Sequence, residues 1–393
     1  MPARSHPGVL RWLGLLAAAA LIAGCAGTQA SPEASPDASA ASMPPAVSPA
    51  ASPAASPGDT ACGDVEDGQL VVQSVGSLIG QAEQVAYKNP FIEQCGVQIE
   101  TVVVGADLGA QLQAHQAANN IIWDVVIMTQ GNLVDLANKG LLEEIDRSHV
   151  TVEASDLLPD AIVDFGVMGE IDTFVIGYKE ETFPNGGPDG WADFFDPATF
   201  PGPRLMNDWG APQANFVVAS IAAGIAPEDV TPFDYDAIFE QLDKIKGDLI
   251  TYPSGAVMVQ TMLNSQAAVC MCTDGRIFQM NNAGGGMKFA WENALMSPNY
   301  WAVVKGAPHP ELAQRFVAST LDPARSATFT SVTGYATPNK KAVDFLPADR
   351  AASLSTHPDN VDKLFALTQE QIQWIGENKP EIVDRWNTWL QGS

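Results

Sequence analysis

The sequence predicts an α/β protein of two lobes, each built on a mostly parallel, doubly wound sheet covered by helices. Two observations predict it. From residue 69 onward, strand-like and helix-like segments alternate, and after residue 171 the alternation begins again. Setting aside an apolar leader and an Ala/Ser/Pro tract leaves roughly 330 residues, enough for two bodies of ordinary domain size.

The elements follow in order. Leu70-Val71-Val72-Gln73-Ser74-Val75 is a short β-branched run and reads as a strand. Residues 80–94 carry helical spacing, and Gly96 stops that helix. Val97–Val104 is the second strand, a helix follows near 107–119, Trp123–Met128 is the third strand, and a helix from about 130 ends at Gly140. Later strands are expected at 171–178, 203–206, 248–251, 266–272 and 300–304. Helices are expected at 211–223, 234–246, 254–264, 273–282, 309–320, 323–332, 361–376 and 379–391. Ligands of open α/β sheets sit beyond the carboxyl ends of the strands. That singles out the loops Ser74–Gly80, Thr129–Asn132, Asn207–Pro212, Thr273–Arg276 and Asn299–Trp301.

Ahead of the folded part, residues 1–24 read as an export signal. Arg4 and Arg11 supply its positive end, and Leu13–Ile22 form an apolar run too short to span a bilayer. The run closes on Leu21-Ile22-Ala23-Gly24-Cys25, which resembles the bacterial lipobox and implies cleavage before Cys25 and lipidation of its thiol. Residues 25–63 hold that cysteine and a linker in which Ala-Ser-Pro recurs at 30–32, 34–36, 51–53 and 55–57, too poor in large apolar side chains to form a core. An extracytoplasmic, membrane-anchored location permits disulfides. Among Cys62, Cys95, Cys270 and Cys272, the pair Cys62–Cys95 is preferred; Cys270 and Cys272, at i and i+2 of an expected strand, suit either buried thiols or a short bridge.

The chain carries 20 Lys+Arg against 46 Asp+Glu, a net charge of −26. Losing Arg4 and Arg11 with the leader makes it more negative still. Such a surface excludes nucleic acid as a partner and attracts cationic solutes. No Gly-x-Ser-x-Gly elbow and no His-x-x-x-His pair occurs, so hydrolase and zinc-enzyme chemistry have no motif to stand on. A lipid-anchored hydrolase is the alternative from another class. No cofactor or metal is called for.

Four stretches in order resemble the family 1 extracellular solute-binding proteins of ABC importers, in their spermidine/putrescine-binding branch. They are Trp191-Ala192-Asp193-Phe194-Phe195-Asp196 with Phe200-Pro201-Gly202-Pro203-Arg204, Trp123-Asp124-Val125-Val126 with Leu141–Asp146, Tyr300–Pro308, and Gly334-Tyr335-Ala336-Thr337-Pro338-Asn339. The resemblance covers about 69–345 and implies a two-lobed periplasmic-binding-protein-like fold of type II, with a ligand cleft between lobes joined by a hinge. Lobe one would span 64–174 plus 300–330, and lobe two 175–299 plus 331–393. It further implies a monomeric receptor that captures a small cationic amine and hands it to the permease subunits without chemistry.

A polyamine site needs carboxylates for the ammonium ends and aromatic faces for the methylene chain. The candidates are Ser74, Ser77, Thr129, Gln130, Asp208, Trp209, Thr273, Asp274, Tyr300 and Trp301. The sequence departs from the family where Thr273 stands for a stacking Trp and where Asn299-Tyr300-Trp301 lacks the expected acid, so another small solute such as ferric ion or an amino-acid-like ligand stays open. Each candidate also has a structural alternative: Asp208 capping the next helix, Asp274 pairing with Arg276 or capping, Trp301 as hinge core.

Overall fold

The computed structural model describes Cys62 and residues 68–104, 108–208 and 212–392. The leader, Cys25, most of the linker and Trp209 lie outside the described residues.

The first β-α units follow the expected order: β1 (Gln69–Ser74), α1 (Ser77–Glu83), α2 (Asn89–Cys95), β2 (Gln98–Val103), α3 (Leu108–Ala117), β3 (Val125–Thr129) and α4 (Gln130–Asn138). A π-turn, Gln84–Lys88, joins α1 to α2. It carries a fully buried ion pair, Lys88 Nζ to Glu83 Oε2 at 2.9 Å. Gly96, with φ +67, closes α2, a left-handed position where glycine carries no Cβ penalty. A disulfide joins Cys62 to Cys95 at the end of α2, with Cα atoms 5.3 Å apart.

The short β4 (Ile162–Val163) precedes β5 (Gly166–Lys179), which leads into α5 (Trp191–Phe194), β6 (Arg204–Asn207), α6 (Gln213–Ala222), α7 (Tyr235–Ile245), β7 (Leu249–Tyr252), α8 (Gly255–Leu263), β8 (Val269–Thr273), α9 (Asp274–Asn282) and β9 (Met287–Val303). The remainder is α10 (Pro310–Ser319), α11 (Pro323–Thr333), α12 (Ala348–Ala352), α13 (Pro358–Val361), β10 (Leu364–Ala366), α14 (Gln369–Glu377) and α15 (Lys379–Gln391).

Two separate sheets were expected; hydrogen bonding instead makes one, in the order β2-β1-β3-β9-β5-β8-β6-β7. The cause is the length of β5 and β9, 14 and 17 residues. The end of β9 pairs with β3, Val303 opposite Val125 and Asn299 opposite Thr129. Its beginning pairs with the far half of β5, Met287 opposite Lys179.

Packing nevertheless divides into two bodies. The first core gathers Leu70 and Val72 of β1, Val125–Met128 of β3, Tyr300–Val304, Phe316 of α10 and Phe329 of α11. The second lies on both faces of β5, β6 and β8, where side chains alternate with period two. Phe174, Ile176, Met206 and Met271 meet Phe216 and Trp386 on one face. Val175, Leu205, Cys270 and Cys272 meet Met258, Ile277 and Met280 on the other. Leu354 still packs in the first core, and the chain joins the second core at Leu364 and Phe365. Burying side chains this large contributes about 1.5–3 kcal/mol each, so each body has its own hydrophobic support.

The Trp191–Arg204 motif supports the second body. Arg204 is fully buried and donates Nε to Phe194 O at 2.9 Å, Nη1 to Gly202 O at 2.6 Å and Nη2 to Asp196 O at 3.1 Å. Trp191 Nε1 donates to Asn293 O at 2.7 Å, tying α5 to β9. Together they hold the start of β6, whose far end reaches Asp208.

Candidate ligand-binding site

The middle of β5 crosses from one core to the other, and its register with β9 shifts twice, between Met168 and Ile171 and between Phe174 and Ile176. Bulges of this kind bend a strand and re-aim its side chains, and they concentrate at functional sites. Asp172 lies between the two shifts. Asn299, from β9, donates Nδ2 to Asp172 Oδ2 at 3.3 Å. Burial pushes the Asp172 carboxyl up to about 6, opposed by the Arg276 guanidinium, Asn299 and the Tyr335 hydroxyl.

The neighbouring residues converge on this point. Thr273 ends β8, and its Oγ1 lies 3.0 Å from the Tyr335 hydroxyl. Asp274 opens α9; its Oδ1 accepts the Gly275 amide at 2.9 Å and the Thr173 amide of β5 at 3.2 Å. Its Oδ2 is buried without a hydrogen-bond partner among the described residues. Burial holds Asp274 up at about 8, so it keeps its proton at neutral pH. Gly275 lies against the Tyr335 ring, where a Cβ would come within 2.4 Å of it. A glycine is required for this close approach between α9 and the segment after α11.

Arg276 sits one residue further along α9. Its Nη1 donates to Gln279 Oε1 at 2.9 Å, and its Nε lies 2.7 Å from where a Cβ on Gly255 would stand. The guanidinium therefore rests on the first residue of α8, close enough to Asp172 to lower its pKa, without an ion-pair contact between them. Two helix N-termini and a cation favour an anionic group at this end. Behind Asp172 on the same strand, Glu170 is buried, and its carboxyl is raised well above the ordinary range by burial, with Asp172 and Glu83 adding to it.

Thr129, Thr273 and Asp274 thus lie around one junction, linked through Asn299, Asp172 and Tyr335. Thr129 is exposed and caps α4, accepting the Asn132 amide at 3.4 Å; Gln130 begins that helix, half-buried. Ser74 is buried at the end of β1 and accepts the Gly76 amide at 3.2 Å, while Ser77 is exposed at the start of α1. Asp208 accepts Trp386 Nε1 at 3.2 Å, which ties it to α15 of the second body; α6 has no side-chain cap.

Tyr300 and Trp301 are fully buried and do not face this junction. The Tyr300 hydroxyl donates to Asp160 O at 3.1 Å, and the Trp301 ring packs edge-on against Tyr87 and Phe316 in the first core. The physical reason is that β9 is covered on both faces here, by β-strand neighbours laterally and by helices above and below. The residues that sequence reasoning passed over are Asp172 and Tyr335. An acid inside an otherwise apolar strand, in Gly169-Glu170-Ile171-Asp172-Thr173, was the available signal for the first.

Comparison with known proteins agrees with this architecture. The profile of the family described as bacterial extracellular solute-binding protein matches residues 86–359, more than two thirds of the chain. A gamma-aminobutyric acid-binding protein of Pseudomonas aeruginosa is 27% identical over 334 residues, covering 84% of this chain and 93% of the relative. A putrescine/cadaverine-binding protein of the same organism is 25% identical over 314 residues, covering 72% and 82%. An ABC transporter substrate-binding protein from Bradyrhizobium japonicum superposes with a TM-score of 0.74 at 26% identity, covering 82% of this chain and 99% of that one. Among the described residues no helix is long and apolar enough to cross a membrane. The chain belongs to the bacterial extracellular solute-binding protein family, as a two-lobed, non-enzymatic receptor of the ABC-transporter type.

Proposed function

We propose that the protein captures a small aliphatic amine that carries an acid at its other end, an ω-amino acid of the 4-aminobutyrate kind, in the junction between its two bodies. The observation that carries this reading is the pairing of Asp172 with Arg276. The Arg276 guanidinium is near enough to draw the Asp172 carboxyl down against its burial, and no direct ion pair joins the two. A zwitterion laid between them gives each charge a partner. At an effective dielectric near 20, each pair 4 Å apart is worth about 4 kcal/mol before desolvation, enough for micromolar affinity. The 4-aminobutyrate-binding relative supports this choice.

A diamine is the second reading. The net charge of −26 and the putrescine/cadaverine-binding relative favour it. In that case Asp208 and Trp209 would serve the second ammonium, with the protonated Asp274 offering only a neutral acceptor oxygen. The lobes are proposed to divide near residues 171 and 298, with the last crossing between 354 and 364. The lipobox Leu21–Cys25 is proposed to anchor the mature monomer outside the membrane, beside the permease subunits it supplies.

The test is a thermal-shift and calorimetric series with 4-aminobutyrate, putrescine, spermidine and ferric ion. The expected result is saturable one-to-one binding of 4-aminobutyrate that raises Tm. Binding of putrescine alone would select the second reading. Silence toward every amine would end both.

A further inference from the structure

We propose that the Cys270–Cys272 disulfide is a positioning element for the ligand site, setting where the N-terminal turn of α9 lies. This rests on the site reading above. The bridge joins residues two apart on β8, with Cα atoms 5.2 Å apart. In an unbridged strand the same two atoms stand about 6.4–6.8 Å apart. The bridge therefore shortens β8 by more than an ångström just before Thr273, Asp274 and Arg276.

The shortening falls where β8 loses its neighbour. β6 pairs with β8 only through Arg204 opposite Val269 and Leu205 opposite Cys270, while β6 itself continues along β7 to Asn207 opposite Tyr252. Beyond Cys270, the β6 side of β8 is held by the Tyr252 hydroxyl, which donates to Met271 O at 2.7 Å. The other side remains paired to β5 as far as Thr273 opposite Phe174. A strand released on one edge is free to change its pitch, and the bridge fixes that pitch.

The surroundings are shaped to the bridge. Both cysteines are fully buried. A Cβ on Gly177 of β5 would fall 2.9 Å from Cys270 Sγ and 2.7 Å from Ile277 Cδ1. The glycine makes room for the sulfurs, and the sulfurs in turn pack beneath Ile277 of α9. The bridge thus links the hinge strand, the end of β8 and the helix that carries Asp274 and Arg276.

The experiment compares the full mature chain with its Cys270→Ala/Cys272→Ala variant. Peptide mapping of the unreduced wild type is expected to give the segment 247–276 lighter by two hydrogens; two free thiols there would overturn the proposal. Amide hydrogen exchange without ligand is expected to rise in the variant over 271–276 and to stay unchanged in β1 and β3. Affinity for 4-aminobutyrate, or for putrescine if that is what the wild type binds, is expected to fall by about tenfold. A bridge that serves stability alone would lower Tm and leave local exchange and affinity as they were, and that result refutes positioning. If the wild type binds neither amine, the site reading has failed, and exchange alone decides the positioning claim. If the double variant does not fold, Gly177→Ala keeps both cysteines and pushes on the bridge. It is expected to raise exchange over the same six residues, and unchanged exchange counts against the proposal.

Discussion

Lowering the pH should weaken amine binding through one identifiable group. Asp172 titrates near 6 because burial raises it more than Arg276, Asn299 and Tyr335 lower it. A bound ammonium needs the carboxylate form. At pH 7 about nine-tenths of Asp172 is ionised, and at pH 5 about one-tenth, so affinity should drop about tenfold across that interval, equivalent to about 1.4 kcal/mol. Asp274 does not compete over this range, since its pKa near 8 keeps it largely protonated at both ends. Burial also raises the Glu170 carboxyl well above its ordinary range. The assay is calorimetric titration of 4-aminobutyrate at half-unit steps from pH 5 to pH 8, on the wild type and on Asp172→Asn. The variant should bind at least tenfold more weakly at pH 8 and show a nearly flat profile. A wild-type profile that is flat from pH 5 to pH 8, or an Asp172→Asn profile that still bends near 6, refutes the assignment.

Other predictions use the same structure. Arg276→Gln should weaken 4-aminobutyrate by tenfold or more while sparing putrescine, read by competition binding; equal loss for both ligands would deny the guanidinium its role as the acid's partner. Asp274→Asn should become progressively more stable relative to wild type as pH rises from about 4 to 8. The native carboxyl holds its proton through that window, and an unfolded one would have lost it, so wild-type stability falls with rising pH there. The relative gain, roughly 2 kcal/mol or more at pH 9, is checked by Tm against pH. Arg204→Met leaves the carbonyls of Phe194, Asp196 and Gly202 without their donor. It should cost about 3 kcal/mol and lower Tm by roughly 6 °C or more in a melting experiment.

The β-α units were readable where the local signal is strong. β1 and β3 are β-branched runs, and Gly96 and Gly140, both at positive φ, follow the ends of the helices α2 and α4 that come after them. The single sheet was not readable. β9 contains Pro298 and Asn299, which look like a break in sequence, whereas in the structure Pro298 stands opposite Ile171 at the register shift between the two bodies. What makes the strand continuous is β5 beside it, a contact more than a hundred residues away along the chain.

The site was legible in part. The rule that ligands sit at strand ends points to the Thr273–Arg276 turn, where the proposed site lies, and the structure brings Thr129 to Asn299 across paired strands. It cannot find Asp172, which lies inside a strand between two register shifts. Aromatic residues in Tyr300-Trp301 suggested a stacking surface, yet the covering helices α4 and α10 bury that part of β9. The Trp191–Arg204 motif, the most distinctive in the sequence, turned out to hold carbonyls and a strand start in place.

A crystal structure of the chain grown with saturating 4-aminobutyrate tests the central claim most directly. The account predicts the ligand between the two cores, with its ammonium within hydrogen-bond reach of Asp172 and Asn299 and its carboxylate on Arg276. Density for the ligand elsewhere on the surface, or an empty junction at saturating concentration, would contradict it.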